Sequence, residues 1–105
     1  MEFSLVQYKI LPKKREMWLN WCDELKEAKA EIIDGLKERG VLIEACFSDV
    51  SGENIFIFIA SDDLEKTTSI SNSSNQKIIQ KRRSIHKYTL EFVGVLSQMY
   101  NLSVD

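Results

Sequence analysis

His86 is the single histidine of the chain, and the one side chain whose ordinary pKa lies near neutrality. It stands seven residues after Ile79 and seven before Val93, so on a helix it shares an apolar stripe with both. Such a histidine serves either as a general base or hydrogen-bond donor at a pocket edge, or as a half-buried packing residue. Two acids are its candidate partners. Glu44 interrupts an apolar strand pattern, and a carboxylate on a sheet face must reach solvent or find a partner. Glu31 precedes Ile32-Ile33 at the border of a helix's polar and buried faces. A shared cavity would raise the carboxylate pKa and let His86 and Glu44 or Glu31 exchange a proton as a catalytic pair. Glu44 turned outward on an edge strand would instead discourage sheet-to-sheet association.

Trp18 and Trp21 fall on one helical face with Leu25, and Tyr8 lies on the first strand; together they could line an apolar ligand pocket or form core. Cys22 and Cys46 match no CxxC or Cys/His spacing, so no metal site is expected and both thiols read as reduced and buried. Residues 77–87 hold five basic side chains and no acid, and a patch of that kind could bind phosphate. Without interleaved aromatics or a recognition-helix pattern, a solvated helix face or a module for an acidic partner is the better reading, and nucleic acid is not an expected partner. Glycine-rich phosphate loops, GxSxG, HExxH, EF-hand loops and the dinucleotide fingerprint are all missing. No cofactor is expected.

The elements that must position these residues are legible in the pattern. At 105 residues the chain predicts one domain over 1–105, and 44% apolar with 29% charged residues is an ordinary globular composition. A net charge of −2 gives no global field for nucleic acid or anionic membrane. No apolar run is long enough to span a bilayer and no signal peptide is evident, so a cytoplasmic location is expected. Phe3–Leu11 reads as a first strand with apolar groups on both faces. From Glu16 to Arg39 a helical period runs through Trp18, Trp21, Cys22, Leu25, Ala28, Ile32, Ile33 and Leu36, with Gly40 as its stop. Its length suggests a kink or a projecting first turn near Trp18–Trp21. Val41–Phe47 and Ile55–Ala60 flank a turn and read as a β-hairpin whose second strand is apolar throughout. Asp62 and Glu65 suggest a capping box for a short helix weakened by Thr67, Thr68 and Ser69, and Ser71–Asn75 reads as a surface loop. Helical spacing returns from Gln76 to Val93, and Val95–Val104 reads as a last strand or a continued helix.

Strand, helix, strand, strand, helical region, strand is the ferredoxin-like βαββαβ order: an α+β fold with a four-stranded antiparallel sheet and helices on one face. The other face carries apolar residues, which predicts a homodimer closed through the open sheet face.

Ile10-Leu11-Pro12, Leu36-Lys37-Glu38-Arg39-Gly40-Val41, Glu44-Ala45-Cys46-Phe47, Ser61-Asp62-Asp63-Leu64-Glu65-Lys66 and Ile85-His86-Lys87 carry a resemblance. Over most of residues 5–93 the chain resembles a small family of uncharacterised bacterial domains in the dimeric α/β-barrel, antibiotic-biosynthesis-monooxygenase-type superfamily. The resemblance implies a dimeric ferredoxin-like fold with a cavity between sheet and helices. In that superfamily the cavity serves cofactor-free monooxygenases, haem-degrading enzymes, and dehalogenating or isomerising enzymes, so fold alone selects no chemistry. Three functions are therefore expected, in this order. The first is a homodimer binding a small apolar or aromatic ligand near Tyr8, Trp18, Trp21 and His86. The second is a cofactor-independent monooxygenase- or isomerase-type enzyme using His86 with an acid. The third is an interaction module with a basic helix.

Overall fold

The computed structural model describes residues 1–27 and 30–104. Its elements are β1 (Glu2–Ile10), α1 (Arg15–Glu27), α2 (Ala30–Arg39), β2 (Val41–Ser48), β3 (Asn54–Ser61), α3 (Leu64–Ser73), α4 (Lys77–Thr89) and β4 (Leu90–Val95). The strands form one antiparallel sheet in the order β2-β3-β1-β4, as the ferredoxin-like reading requires. Ala28, placed by its spacing on the buried stripe, lies outside the described residues. α1 runs without interruption through Trp18 and Trp21, and both indoles are buried. The expected kink or projecting first turn is therefore corrected: two indoles gain more against the sheet than a free turn gains in water.

Strand register assigns the two sheet faces. Tyr8 pairs with Ile55, Val6 with Ile57, and Ile10 with Leu90. This is the face on which α1 and α4 close, with Trp18, Trp21, Ile55, Ile57 and Leu90 as the buried core. The alternate residues point away: Leu5 opposite Phe58, Gln7 opposite Phe56, Ile43 opposite Ala60 and Phe47 opposite Phe56. Phe3 and Phe58 stack there with centroids 5.7 Å apart. Ile43 and Phe47 are exposed and Phe3, Leu5, Phe56 and Phe58 half-buried, so the second face is apolar as expected.

The helical region departs from expectation at three places. Asp63, not Asp62, caps α3, its carboxylate accepting the Lys66 N–H at 3.1 Å. α3 continues through Ser71–Ser73, which were expected in a loop, because Ser73 bonds back to the Ser69 carbonyl and Arg39 holds Ser71. The last strand is Leu90–Val95 and not 95–104. Leu90 and Phe92 satisfy a helical stripe and a strand alternation equally, and the open edge of β1 settles which applies. Leu90 takes its place opposite Ile10 and Phe92 opposite Tyr8, with Val93 the extra residue of a bulge before Gly94. Residues 96–104 have no regular structure, and Met99, Tyr100, Leu102 and Val104 are exposed. Among the described residues no helix is long and apolar enough to cross a membrane.

Candidate functional site

α1 presents Trp18, Trp21, Cys22 and Leu25 along one side because their spacing follows the helical turn. α4 presents Ile78, Ile85, Arg82 and His86 toward the same interior. The sheet supplies Tyr8 from β1 and Glu44 from β2. These placements bring together three of the residues singled out by type. The His86 ring meets Trp18 edge-on at 5.6 Å and Tyr8 at 6.1 Å, and Tyr8 in turn meets Phe92 at 6.1 Å. Trp21 sits one turn further along under Lys81, whose ammonium lies 5.9 Å from the ring centroid.

The aromatic cluster fills the interior instead of lining a void. His86 is half-buried, and among the described residues neither ring nitrogen has a hydrogen-bond partner. Burial pushes its pKa down to about 3, with the Arg82 and Arg39 guanidiniums opposing protonation further. The imidazole is neutral at physiological pH and a weak base. Tyr8 is pushed up by burial; Arg82 pulls it back and Glu44 adds to the rise.

Beside this cluster lies an ion network the sequence reading missed. Glu44 turns inward, toward the helices, and its Oε1 accepts from Arg39 at 3.1 Å and meets Arg82 at 3.4 Å. The side chains of Arg39, Glu44 and Arg82 are 3%, 19% and 16% exposed. Arg39 is tethered by its Nε–H to the Ser71 hydroxyl at 2.8 Å, while its carbonyl accepts from Thr67 at 2.7 Å. Its pKa is lowered by burial and by Arg82, and Glu44 counteracts. Arg82 stands four residues before His86, so the same stripe that singled out the histidine could have marked it. Arg39 had no comparable signal, since its packing depends on α3.

Glu44 is therefore bound to two arginines and shows no hydrogen bond to His86. Glu31 is exposed in the first turn of α2 and has no part in the network. The basic segment is largely used internally. Lys81 pairs with Glu24 at 2.5 Å, Arg82 with Glu44, and Arg83 donates to the Ser71 and Ser74 carbonyls at 3.0 Å each.

Two spaces meet at Glu44. An open groove of about 440 Å³ runs between α1 and the β2–β3 hairpin, with Trp18, Leu25, Ile55, Cys46 and Glu44 among its walls. A small, partly open recess of about 20 Å³ is bordered by Arg39, Glu44, Arg82 and Trp21. Of the four residues expected to line a ligand cavity, Trp18 reaches the groove; His86 packs on Trp18, Tyr8 packs on His86, and Trp21 borders the small recess. Cys22 and Cys46 also face the groove, and Cys46 is more exposed than its strand setting suggested. Burial first, then Cys22 and Glu44, push the Cys46 thiol up to about 12, and burial also raises Cys22. Both stay protonated at neutral pH and are poor nucleophiles.

The chain belongs to the family described as Family of unknown function (DUF6176), whose model matches residues 1–97. No curated protein matches it. Among solved structures it is similar to tetracenomycin F2 cyclase from Streptomyces glaucescens, a type-II polyketide cyclase, with a TM-score of 0.67, 12% identity and all of both chains covered. It is also similar to an L-rhamnose mutarotase from Formosa agariphila, with a TM-score of 0.63, 16% identity, and 98% and 100% of the two chains covered. A dimeric ferredoxin-like protein from an uncultured marine organism gives a TM-score of 0.55 at 14% identity, over 96% of this chain and 92% of that one. At such identities the likeness shows a shared fold, and the ferredoxin-like expectation stands.

Proposed function

We propose that this protein is a homodimer that binds a small, largely apolar or aromatic molecule carrying a hydroxyl group in the groove between α1 and β2. The observation that carries the reading is Glu44. One of its oxygens is clamped by Arg39 and Arg82, while its carboxylate borders an open groove walled by Trp18, Leu25 and Ile55. A carboxylate fixed in this way is a pre-oriented hydrogen-bond acceptor, and the indole supplies a flat apolar wall. His86 packs edge-on against the Trp18 ring, and Tyr8 packs against His86 in turn. Two structural neighbours are named for reactions on small organic molecules, a polyketide and a sugar, which agrees with a ligand of this class.

Dimerisation is supported by the second sheet face. Phe3, Leu5, Phe56, Phe58, Ile43 and Phe47 lie on that face, Ile43 and Phe47 exposed and the others half-buried, and an apolar sheet face left in water usually marks an interface. Pairing two such faces buries both at once. One neighbour is itself described as dimeric.

The test uses 2-naphthol, a flat apolar molecule with one hydroxyl. Saturable quenching of tryptophan emission is expected, and Glu44→Gln, which removes the charge and keeps an oxygen for the arginines, should weaken binding by roughly 10-fold or more. Unsaturable quenching, or equal affinity in the variant, overturns the groove reading. Light scattering at micromolar concentration checks the assembly independently, and the mass of a single chain overturns the dimer.

A further inference from the structure

The small recess differs from the groove in size and charge. Its volume of about 20 Å³ exceeds the roughly 10–15 Å³ needed for one water-sized occupant. Most of its wall is apolar, from Trp21, Leu25, Ile32, Leu36 and Ile78. α2 and α4 approach closely here: a Cβ on Gly35 would lie 2.9 Å from Ile78 Cγ2. Its charged border consists of Arg39, Arg82 and Glu44, and the buried Gln76 Oε1, without a hydrogen-bond partner among the described residues, lies 3.9 Å from the position of a Cβ on Gly35.

That border is not electrically balanced. Two guanidiniums share a single carboxylate, and both use the same oxygen of it. Positive charge is left over on side chains mostly withdrawn from water, where attraction to an anion is stronger than at a fully exposed surface. One donor is also left over. Arg82 Nε is buried and has no hydrogen-bond partner among the described residues. A buried N–H without an acceptor is costly, and more so on a charged group. Water would satisfy the donor and leave the charge uncompensated. A small anion satisfies both.

We propose that this recess between α2, α4 and β2 is a binding site for a monatomic anion, chloride, held by the Arg82 Nε–H with the Arg39 guanidinium as second positive neighbour. The recess shares Glu44 and Leu25 with the groove, and the tests use no groove ligand, so they read the anion alone. Its apolar walls favour a weakly hydrated ion, so bromide is accepted in place of chloride. Gluconate, larger and more strongly hydrated, is the control anion.

Thermal unfolding in sodium chloride and in sodium gluconate at matched ionic strength is the first test. Chloride should raise the melting temperature by a few degrees with a saturable dependence, because an ion that binds only the folded state stabilises it by mass action. Bromide should do the same. Arg82→Met removes the donor and the charge, and the salt-specific rise should vanish with it. Crystals grown in sodium bromide give a second reading that needs no variant: an anomalous peak within hydrogen-bond distance of Arg82 Nε. Coincident melting curves in the two sodium salts, or an anomalously silent peak marking water, overturn the proposal.

Discussion

Replacing Glu44 with leucine tests the ion network directly. The substitution keeps a similar volume but removes the single carboxylate that faces Arg39 and Arg82 at 3.1 and 3.4 Å. Breaking a buried ion pair by deleting one partner costs about 3–5 kcal/mol, most of it from the charge left behind. Arg39 is 3% exposed and cannot rehydrate without moving α2, whereas Glu44 at 19% and Arg82 at 16% retain some water. That partial hydration places the expected loss at the lower end, about 3 kcal/mol. For a domain of this size it lowers the melting temperature by roughly 12–20 °C. Against a typical total of about 5–15 kcal/mol the variant still folds. Urea denaturation at pH 7, with and without added salt, measures the loss. The double variant Glu44→Leu/Arg82→Met should lose less than the sum of the two single changes, with a coupling of about 0.5–3 kcal/mol. A loss for Glu44→Leu under about 1 kcal/mol, or single effects that add, would falsify the account of a desolvated network.

Three further outcomes follow from named groups. His86 has a folded pKa of about 3 against an ordinary 6.5, so the unfolded chain takes up this proton first as pH falls. The stability it contributes is present above pH 6.5 and is lost toward pH 3, at up to about 1.4 kcal/mol per pH unit, and His86→Phe should flatten that slope in urea melts across the range. Gly40 ends α2 with φ 70°, and Gly40→Ala should cost about 1–2 kcal/mol by calorimetry, because a Cβ is strained in the left-handed region. Asp49 is held down at about 2 by hydrogen bonds from Asn54 and Ser51 and from the Asn54 and Gly52 amides. Asp49→Ala should speed hydrogen exchange at the Gly52 and Asn54 amides while the core amides keep their protection; unchanged exchange would show that the turn holds without it.

Much of the fold was legible because its cues are local. The stripe through Trp18, Trp21, Cys22 and Leu25, the apolar run Ile55–Ala60 and the glycine after Arg39 each specify their element within a few residues. β4 was misplaced for the complementary reason. Leu90, Phe92 and Val93 fit two periodicities, and only the free edge of β1 distinguishes them. The candidate site divides in the same way. Trp18, Tyr8 and His86 were identifiable by type, and they do converge. Their role was not, because whether aromatic rings line a void or fill it depends on how closely α1 and α4 close on the sheet.

Arg82 and Arg39 show where local information ends. In sequence Arg82 belongs to a basic run that reads as a solvated face, and Arg39 to the polar end of a helix. Arg82 meets Glu44 because the sheet carries that residue under α4, and Arg39, five residues before Glu44, is buried where α3 packs over it. The amino-acid sequence by itself determined the strand and helix order, the two apolar sheet faces and the aromatic residues of the interior, since these follow from periodicity along the chain. Tertiary structure alone decided that a carboxylate expected at an edge faces inward, that a basic segment is spent on internal partners, and that a groove and a small charged recess meet at Glu44. Charge partners and voids depend on how the helices and the sheet pack against one another, and no period along the chain encodes that.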